Sequence, residues 1–409
     1  MRGHSPSQLQ ERIEEALLAR RRRGLVRELR TPSSTAVDFS SNDYLGLARP
    51  GPFRDFLGSF IGVCRESKTS GSTGSRLLSG QSEEVIKLEN TAAEFHGSKK
   101  SLFFNSGYDA NLSLFSCLPG PEDSIVYDEL IHASVHDGMR MSRANSNVTP
   151  FQHNNTLSLR NAIRRAAEDH RGSVLVCIET VYSMDGDIAP LRRILELCKQ
   201  LALDLKREIY VIADEAHAGG LFGDNGEGLA VAKGLNMHPN LLARVVTFGK
   251  AFGAHGAVIL STPLLVEYLI NYARPFIYST ALPPHSIAIV RAAYAFAKTT
   301  PARQARETLW ERVEFFERMA RKHLPREISQ PSNGCSPIQG FFVPGNRQCM
   351  ELSRTLRAKG FDVYPIRSPT VPRGTERIRV IVHTHNTEEE IQDLIKSIAN
   401  AQARRSASL

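Results

Sequence analysis

The 409-residue chain contains no stretch near the roughly 18 uncharged apolar residues that a membrane-crossing helix needs, so no membrane span is expected. Its first residues, MRGHSPSQLQERIEEALLARRRRG, hold no apolar run of the kind found in a secretory leader. Cysteine is sparse. The six stand apart at Cys64, Cys117, Cys177, Cys198, Cys335 and Cys349, with no C-x-x-C pair. That argues against a disulfide framework or a zinc site and predicts reduced thiols in an intracellular protein. There is no internal repeat and no low-complexity segment. The chain also lacks G-x-x-x-x-G-K-[ST], so its DEAH sequence is not that of a phosphate-loop hydrolase. The final Ala407-Ser408-Leu409 only faintly echoes S-K-L; a cytoplasmic location is the expectation, with a peroxisomal one the alternative.

What is present is ordinary globular material: 41% hydrophobic and 23% charged residues, enough chain for two or three domains. The net charge is +8, and much of the excess lies in Arg20 to Arg23, Arg27 and Arg30. Elsewhere acids and bases are mixed. The pattern reads as a solvated helical face rather than a nucleic-acid surface.

Residues 7–30 carry Leu9, Ile13, Leu17 and Leu18 at helical spacing, and a helix is expected there. A Pro/Ser turn follows at Thr31–Thr35, then a short strand candidate at Val37–Phe39. Ser67–Gly80 is a Gly/Ser loop, and Glu83–Phe95 reads as a helix. From residue 101 strands and helices alternate: strands at Ser101–Asn105, Ser124–Asp128, Val174–Glu179, Ile209–Ala213, Arg244–Phe248 and Gly256–Leu260. Helices are expected from Gly107 to Cys117, over His132–Met141 and over Leu191–Leu203. Continuous apolar runs such as Val174–Glu179 suit strands buried on both faces. The expectation is an α/β fold with a mainly parallel sheet flanked by helices. Pro283 and Pro284 introduce a long helical stretch over 285–323, and 335–409 reads as a smaller α/β unit. The division predicted is 1–45 as an N-terminal helix and arm, 46–282 as a large domain, and 283–409 as a small C-terminal domain.

Five segments carry the chemistry. In VVTFGKAFGAHGA (245–257), Lys250 leaves an apolar strand among small residues. A lysine so placed can be desolvated and supply a neutral amine for a Schiff base, although most strand-end lysines are surface residues. In IYVIADEAHAGG (209–220), a buried strand ends in Asp214, with His217 just after. Such a carboxylate can hold the proton of a pyridine nitrogen; a helix cap is the competing role. FFNSGYDAN (103–111) places Ser106, Gly107 and Tyr108 where a strand meets a helix, a ready phosphate cradle. DELIHASVHDG (128–138) presents His132, which can lie on an aromatic ring or simply pack. ETVYSMDGDIAPL (179–191) presents Ser183 in a loop. No segment decides alone, but their order on an alternating frame supplies the parts for pyridoxal 5'-phosphate.

The blocks SSNDYLGL, SGSTGSRLLSG, SGYDAN, LIHAS, SMDGD, DEAH, TFGKAFG, IYSTALPP and IRSPTVPRGTERIRV together resemble the α-oxoamine synthase family of pyridoxal-phosphate enzymes, over about residues 8–395. The last block most resembles the family's biotin-pathway members. The resemblance implies an aspartate aminotransferase-like fold of type I and a homodimer with shared active sites. It implies that Lys250 binds the cofactor covalently and moves the substrate α-proton, that Asp214 pairs with the pyridine nitrogen, and that His132 stacks on the ring and helps place the acyl donor. His217 would hydrogen-bond the phenolic oxygen, with Ser106, Gly107, Tyr108, Ser183 and Thr247 around the cofactor. Ser279 and Thr280 would reach the phosphate in the neighbouring subunit. Arg27, Asn42, Arg367 and Thr370 match substrate-contacting positions, with Arg367 the choice for the amino-acid carboxylate because a guanidinium forks onto a carboxylate in one plane. Thr73 and Ala218 depart from the family's usual residues.

The activity so implied is a decarboxylative Claisen-type condensation of an amino acid, L-alanine by preference, with a pimeloyl-like thioester carried on coenzyme A or an acyl carrier protein. A positive surface suits either anionic carrier. The rivals are the same reaction on another pair (acetyl-CoA with glycine, palmitoyl-CoA with serine, or a carrier-bound polyketide of secondary metabolism), an aminotransferase, and a non-catalytic partner subunit.

Overall fold

The computed structural model describes residues 8–31, 33–66, 69–325 and 336–406. The Ala407–Leu409 tail, Cys335 and the side chain of Cys64 lie outside that set. The strands, in chain order, are β1 Val37–Asp38, β2 Lys100–Phe104, β3 Ser124–Asp128, β4 Val148–Phe151, β5 Val174–Glu179, β6 Ile209–Asp214, β7 Leu241–Thr247, β8 Ala257–Ser261, β9 Ile338–Phe342, β10 Phe361–Asp362, β11 Tyr364–Ile366 and β12 Arg377–Ile381.

Seven of them form one sheet in the order β2-β8-β7-β6-β5-β3-β4. From β4 to β7 the pairing is parallel; β8 runs antiparallel to both its neighbours. Residues alternate across this sheet. Val176, Ile178, Val211 and Ala213 face the helices Thr156–Asp169 and Leu191–Leu205. Cys177, Ile212, Val245 and Ile259 face Gly107–Cys117, Ala133–Met141 and Pro263–Tyr272. Each valine or isoleucine among them contributes roughly 1.5–3 kcal/mol by burial, and burial on both faces explains the unbroken apolar runs. Cys117, Cys177, Cys198 and Cys349 are all free thiols.

A second, antiparallel sheet, β11-β12-β9, packs its Ile338, Phe341, Ile378 and Val380 into a further core shared with Thr300–His323. The N-terminal arm joins it. β1 pairs in parallel with β10, and the Ile381 N–H donates to the Phe39 carbonyl at 2.8 Å. Among the described residues no helix is long and apolar enough to cross a membrane.

Two helix expectations need correction. Among the described residues the first helix covers Gln8–Arg22 and so stops well short of residue 30; residue 7 lies outside the described residues. Gly24 takes φ +63°, and the N–H groups of Gly24 and Leu25 close onto Arg21 and Arg20, which is a left-handed helix stop. Arg27 therefore lies beyond the helix and is exposed. The stretch 285–323 is two helices, Pro284–Ala297 and Thr300–His323. Thr299 sits extended at the break, with Pro301 in the first turn of the second helix, where its missing N–H costs nothing. Sequence periodicity also left Pro52–Glu66, β4, Thr156–Asp169, Pro263–Tyr272 and Arg274–Tyr278 unplaced.

Candidate active site

The parallel strands β5, β6 and β7 deliver their last side chains to one rim, where open α/β sheets hold ligands. Asp214 ends β6 and is 7% exposed. One carboxylate oxygen accepts from Asn111 Nδ2 at 2.7 Å, the other from the Ala216 N–H at 2.8 Å. Among the described residues no ion pair reaches this buried carboxyl group. Glu179 ends β5 and is equally buried. Its Oε2 accepts from the Ser183 N–H at 3.2 Å, while Oε1 has no partner. Burial, and then the neighbouring Asp214, push its carboxyl well above the usual range.

Lys250 follows β7 by three residues, and its Nζ lies 2.8 Å from His217 Nε2. Burial lowers the amine to about 8, against the opposing pull of Asp214 and Glu179. His217 is lowered well below its ordinary value, by burial first and then by Lys250. Its Nδ1 lies 2.5 Å from the hydroxyl of the fully buried Tyr44. The turn after His217 comes close to Lys250: a Cβ on Gly220 would stand 2.7 Å from Ala251 Cβ, and φ there is +84°. Glycine alone fits both demands.

A second chain of bonds fixes His132. It caps the helix Ala133–Met141, and its Nδ1 meets the Ser134 N–H at 3.2 Å and the Ser134 hydroxyl at 2.8 Å. Asn111 Nδ2 donates to that hydroxyl at 3.0 Å as well as to Asp214. With Nδ1 accepting, the ring proton sits on Nε2. Burial lowers the pKa of His132 and keeps the ring neutral. The Oδ1 of Asn111 is buried without a partner.

Ser106 caps the helix Gly107–Cys117, and its hydroxyl accepts from the Asp109 N–H. A Cβ on Gly107 would lie 3.5 Å from Thr247 Cβ, so the helix start and the end of β7 face each other and frame an anion cradle. Tyr108 sets its ring edge-on to His132, centroids 6.3 Å apart, and donates to Asp137. Ser279 and Thr280 follow Arg274–Tyr278. The Thr280 carbonyl accepts from Asn105 beside the cradle, and its side chain is exposed. The Gly/Ser loop closes on the same segment through Gly74 and Ala281, with Thr73 in the left-handed region at φ +55°.

The structure brings in one arginine that sequence reasoning missed. Arg379 of β12 donates from Nε to the Ser183 carbonyl at 2.6 Å and from Nη2 to Asn42 Oδ1 at 3.0 Å. Asn42 Oδ1 also lies 3.2 Å from the Tyr44 hydroxyl, so Arg379, Asn42, Ser183, Tyr44, His217 and Lys250 form one connected group. Arg367 instead donates to the Gly24 carbonyl and the Met350 sulfur, beside the repelling charges of Arg27 and Arg354. Thr370 is exposed and donates its N–H to the Arg367 carbonyl. Among the described residues no hydrogen bond links Arg27, Arg367 or Thr370 to the Lys250 group.

The buried Asp214 carboxyl, the orphaned oxygens of Asn111 and Glu179, a desolvated amine and an anion cradle fit a flat, protonated heteroaromatic aldehyde with a phosphate tail. A family model described as aminotransferase class I and II matches residues 34–398. The chain is 39% identical over 409 residues to 8-amino-7-oxononanoate synthase of Emericella nidulans, covering 97% of each chain. To aminoacyl transferase sphA of Byssochlamys spectabilis it is 34% identical over 384 residues, covering 89% of this chain and 80% of that one. Serine palmitoyltransferase from S. paucimobilis, solved with a bound PLP–myriocin aldimine, superposes with a TM-score of 0.84 at 25% identity, over 98% of this chain and all of that one. 8-amino-7-oxononanoate synthase from Francisella tularensis gives a TM-score of 0.72 at 26% identity, over 91% and 100%.

Proposed function

The chain belongs to the aminotransferase class I and II family, as a pyridoxal-phosphate-dependent α-oxoamine synthase, and from that premise we propose that it joins L-alanine to a medium-length, pimeloyl-like acyl thioester. The acyl carbon bonds to the amino acid's Cα and the thiol leaves. The amino acid's carboxyl group departs as carbon dioxide, a proton returns to Cα, and an α-amino ketone results. Bound pyridoxal phosphate supplies the electron sink for negative charge developing at Cα.

The observation that carries this reading is the Lys250 amine, lowered to about 8, at the same rim as Asp214. Lys250 holds the cofactor and, once freed, moves the proton at Cα, because near neutral pH a useful share of it is unprotonated. Asp214, pinned by Asn111 and Ala216, keeps a proton on the pyridine nitrogen. His132, its Nδ1 occupied by Ser134, stacks on the ring and offers Nε2–H to the acyl donor. His217 offers a hydrogen bond to the phenolic oxygen. Ser106, Gly107, Tyr108, Ser183 and Thr247 surround the cofactor. Arg379, oriented by Ser183 and Asn42, takes the amino-acid carboxylate in place of Arg367. Arg367, Arg27 and Thr370 then remain for the acyl donor and its distal carboxylate.

The active unit is a homodimer in which Ser279 and Thr280 reach the phosphate bound by the other protomer. The exposed side chain of Thr280 supports this, as do Leu9, Ile13, Leu17 and Leu18, which expose 42–56% of their surface on a helix with no buried residue. The high structural likeness to serine palmitoyltransferase favours, as a second reading, a longer acyl chain with serine.

The deciding experiment measures kcat/KM for pimeloyl, acetyl and palmitoyl thioesters against alanine, glycine and serine. Pimeloyl with alanine is expected to win. A palmitoyl preference would remove the pimeloyl assignment and leave the condensation intact; transamination without carbon–carbon bond formation would remove both.

A further inference from the structure

We infer that Tyr44 sets the tautomer of His217, donating its phenolic proton to Nδ1 so that Nε2 carries the hydrogen facing Lys250. Tyr44 is fully buried, His217 is 4% exposed, and their contact is the shortest either side chain makes in this cluster, 2.5 Å. Tyr44 has one proton and two acceptors in reach. The second, Asn42 Oδ1, is farther away at 3.2 Å and already accepts from Arg379 at 3.0 Å. The proton therefore goes to the nitrogen. The positive charge of Arg379 also acts on the Tyr44 oxygen, which polarises the O–H bond and strengthens it as a donor. In the reverse arrangement Nδ1–H would donate to Tyr44, and the phenolic proton would be left the long, shared bond to Asn42.

The consequence falls on Lys250. With Nδ1 occupied by a donor, the neutral imidazole carries its proton on Nε2 and points it at the Lys250 nitrogen 2.8 Å away. A donor at that distance favours the amine with a free lone pair over the ammonium. This acts in the same direction as burial, which lowers Lys250 to about 8, and against Asp214 and Glu179; Arg379 and the His132 ring complete the polar groups around the pair. Tyr44 is thus a positioning residue, touching neither reacting atom, that acts through His217.

The inference rests on the reading of Lys250 as the cofactor lysine, and its test separates the two. Imidazole nitrogens are read by 15N NMR in the full-length, cofactor-loaded protein, wild type and Tyr44→Phe, with His217→Asn to assign the signals. The wild type is expected to show a proton-bearing Nε2 and a bare Nδ1 at His217. In Tyr44→Phe that preference is lost, and the pH midpoint of the cofactor's visible absorbance rises by about half to one unit, because the phenolic oxygen beside the lysine nitrogen loses the donor that His217 offers it. A protonated Nδ1 in the wild type overturns the proposal, as does an unchanged Nε2–H tautomer in Tyr44→Phe. The wild-type spectrum decides even if the variant fails to fold. Borohydride labelling of both proteins identifies the cofactor lysine independently; label on another residue would sink the role of Lys250 and leave the tautomer result standing.

Discussion

Glu179 and Asp214 stand opposite each other in register at the ends of β5 and β6, two acids on one rim. Burial and the Asp214 charge hold Glu179 in its protonated form. The two positions should therefore answer differently to amide substitution. Glu179→Gln mimics a neutral acid and still accepts from the Ser183 N–H, so turnover is expected within about tenfold of wild type. Asp214→Asn cannot hold a pyridine proton. It should retain part of the cofactor and lose turnover by a factor on the order of 10² or more. Side-by-side turnover and cofactor content check this; near-normal Asp214→Asn activity would remove that residue from the chemistry.

Lys250 offers a chemical signature. The purified protein should be yellow, and borohydride reduction followed by peptide mapping should fix the cofactor on the peptide containing Lys250. Lys250→Ala should lose that label and all turnover. A reduced adduct elsewhere in the chain would refute the assignment.

The two arginines separate kinetically. Arg379→Lys keeps the charge but loses the fork that bonds Ser183 and Asn42, and should raise KM for the amino acid by about tenfold or more. Arg367→Ala should leave that KM within about threefold, with any loss falling on the acyl donor. An equal rise in both variants would return Arg367 to the amino-acid site.

His153 predicts a pH dependence of stability. Burial alone would lower its pKa, but hydrogen bonds to Asp128 at 2.8 Å and Asp187 at 2.6 Å raise it to about 10. Because the folded value exceeds the ordinary 6.5, this stabilisation is complete below about pH 6.5 and fades as pH climbs towards 10. Thermal unfolding from pH 6 to 10 should show the Tm gap between wild type and His153→Gln shrinking across that window. A constant gap would mean the imidazolium charge contributes nothing.

Shared active sites can be tested by mixing. Neither Lys250→Ala nor a cradle-blocking Thr280→Glu protomer should turn over alone. Co-refolded heterodimers should regain activity at the one site that draws Lys250 and Thr280 from intact chains. Sedimentation of a fully active monomer would rule this out.

The rim of the large sheet was legible because buried parallel strands write themselves as apolar runs, and the polar residue that ends each run must lie at the edge. Asp214 and Lys250 were legible that way, and Ser106 at the junction where a strand meets a helix, which it caps. Arg379 was not. In ERIRV two arginines alternate with apolar residues, and which one turns towards Ser183 depends on β9 and on Asn42, both remote in sequence. Tyr44 was hidden for the same reason, since its partner His217 is 173 positions away. The first helix was overextended because leucine periodicity outweighed the stop signal already present at Gly24. The break at Thr299 carried its own mark, a threonine ahead of Pro301, overlooked inside a long amphipathic pattern.

The bracket of Asn42, Ser183 and Arg379 has a temporal meaning. Its members come from the arm, the large sheet and β12, and the arm is itself stitched to β10 and to Ile381. During synthesis, the chain emerging from the ribosome can complete most of its large sheet while Tyr44 and Asn42 still lack their anchor. The partners that anchor the arm lie more than 330 positions downstream, so the pocket matures only after residue 381 has emerged. Cofactor capture is then a step after translation, and nascent chains stalled short of β12 should bind it weakly however well their large sheet has folded.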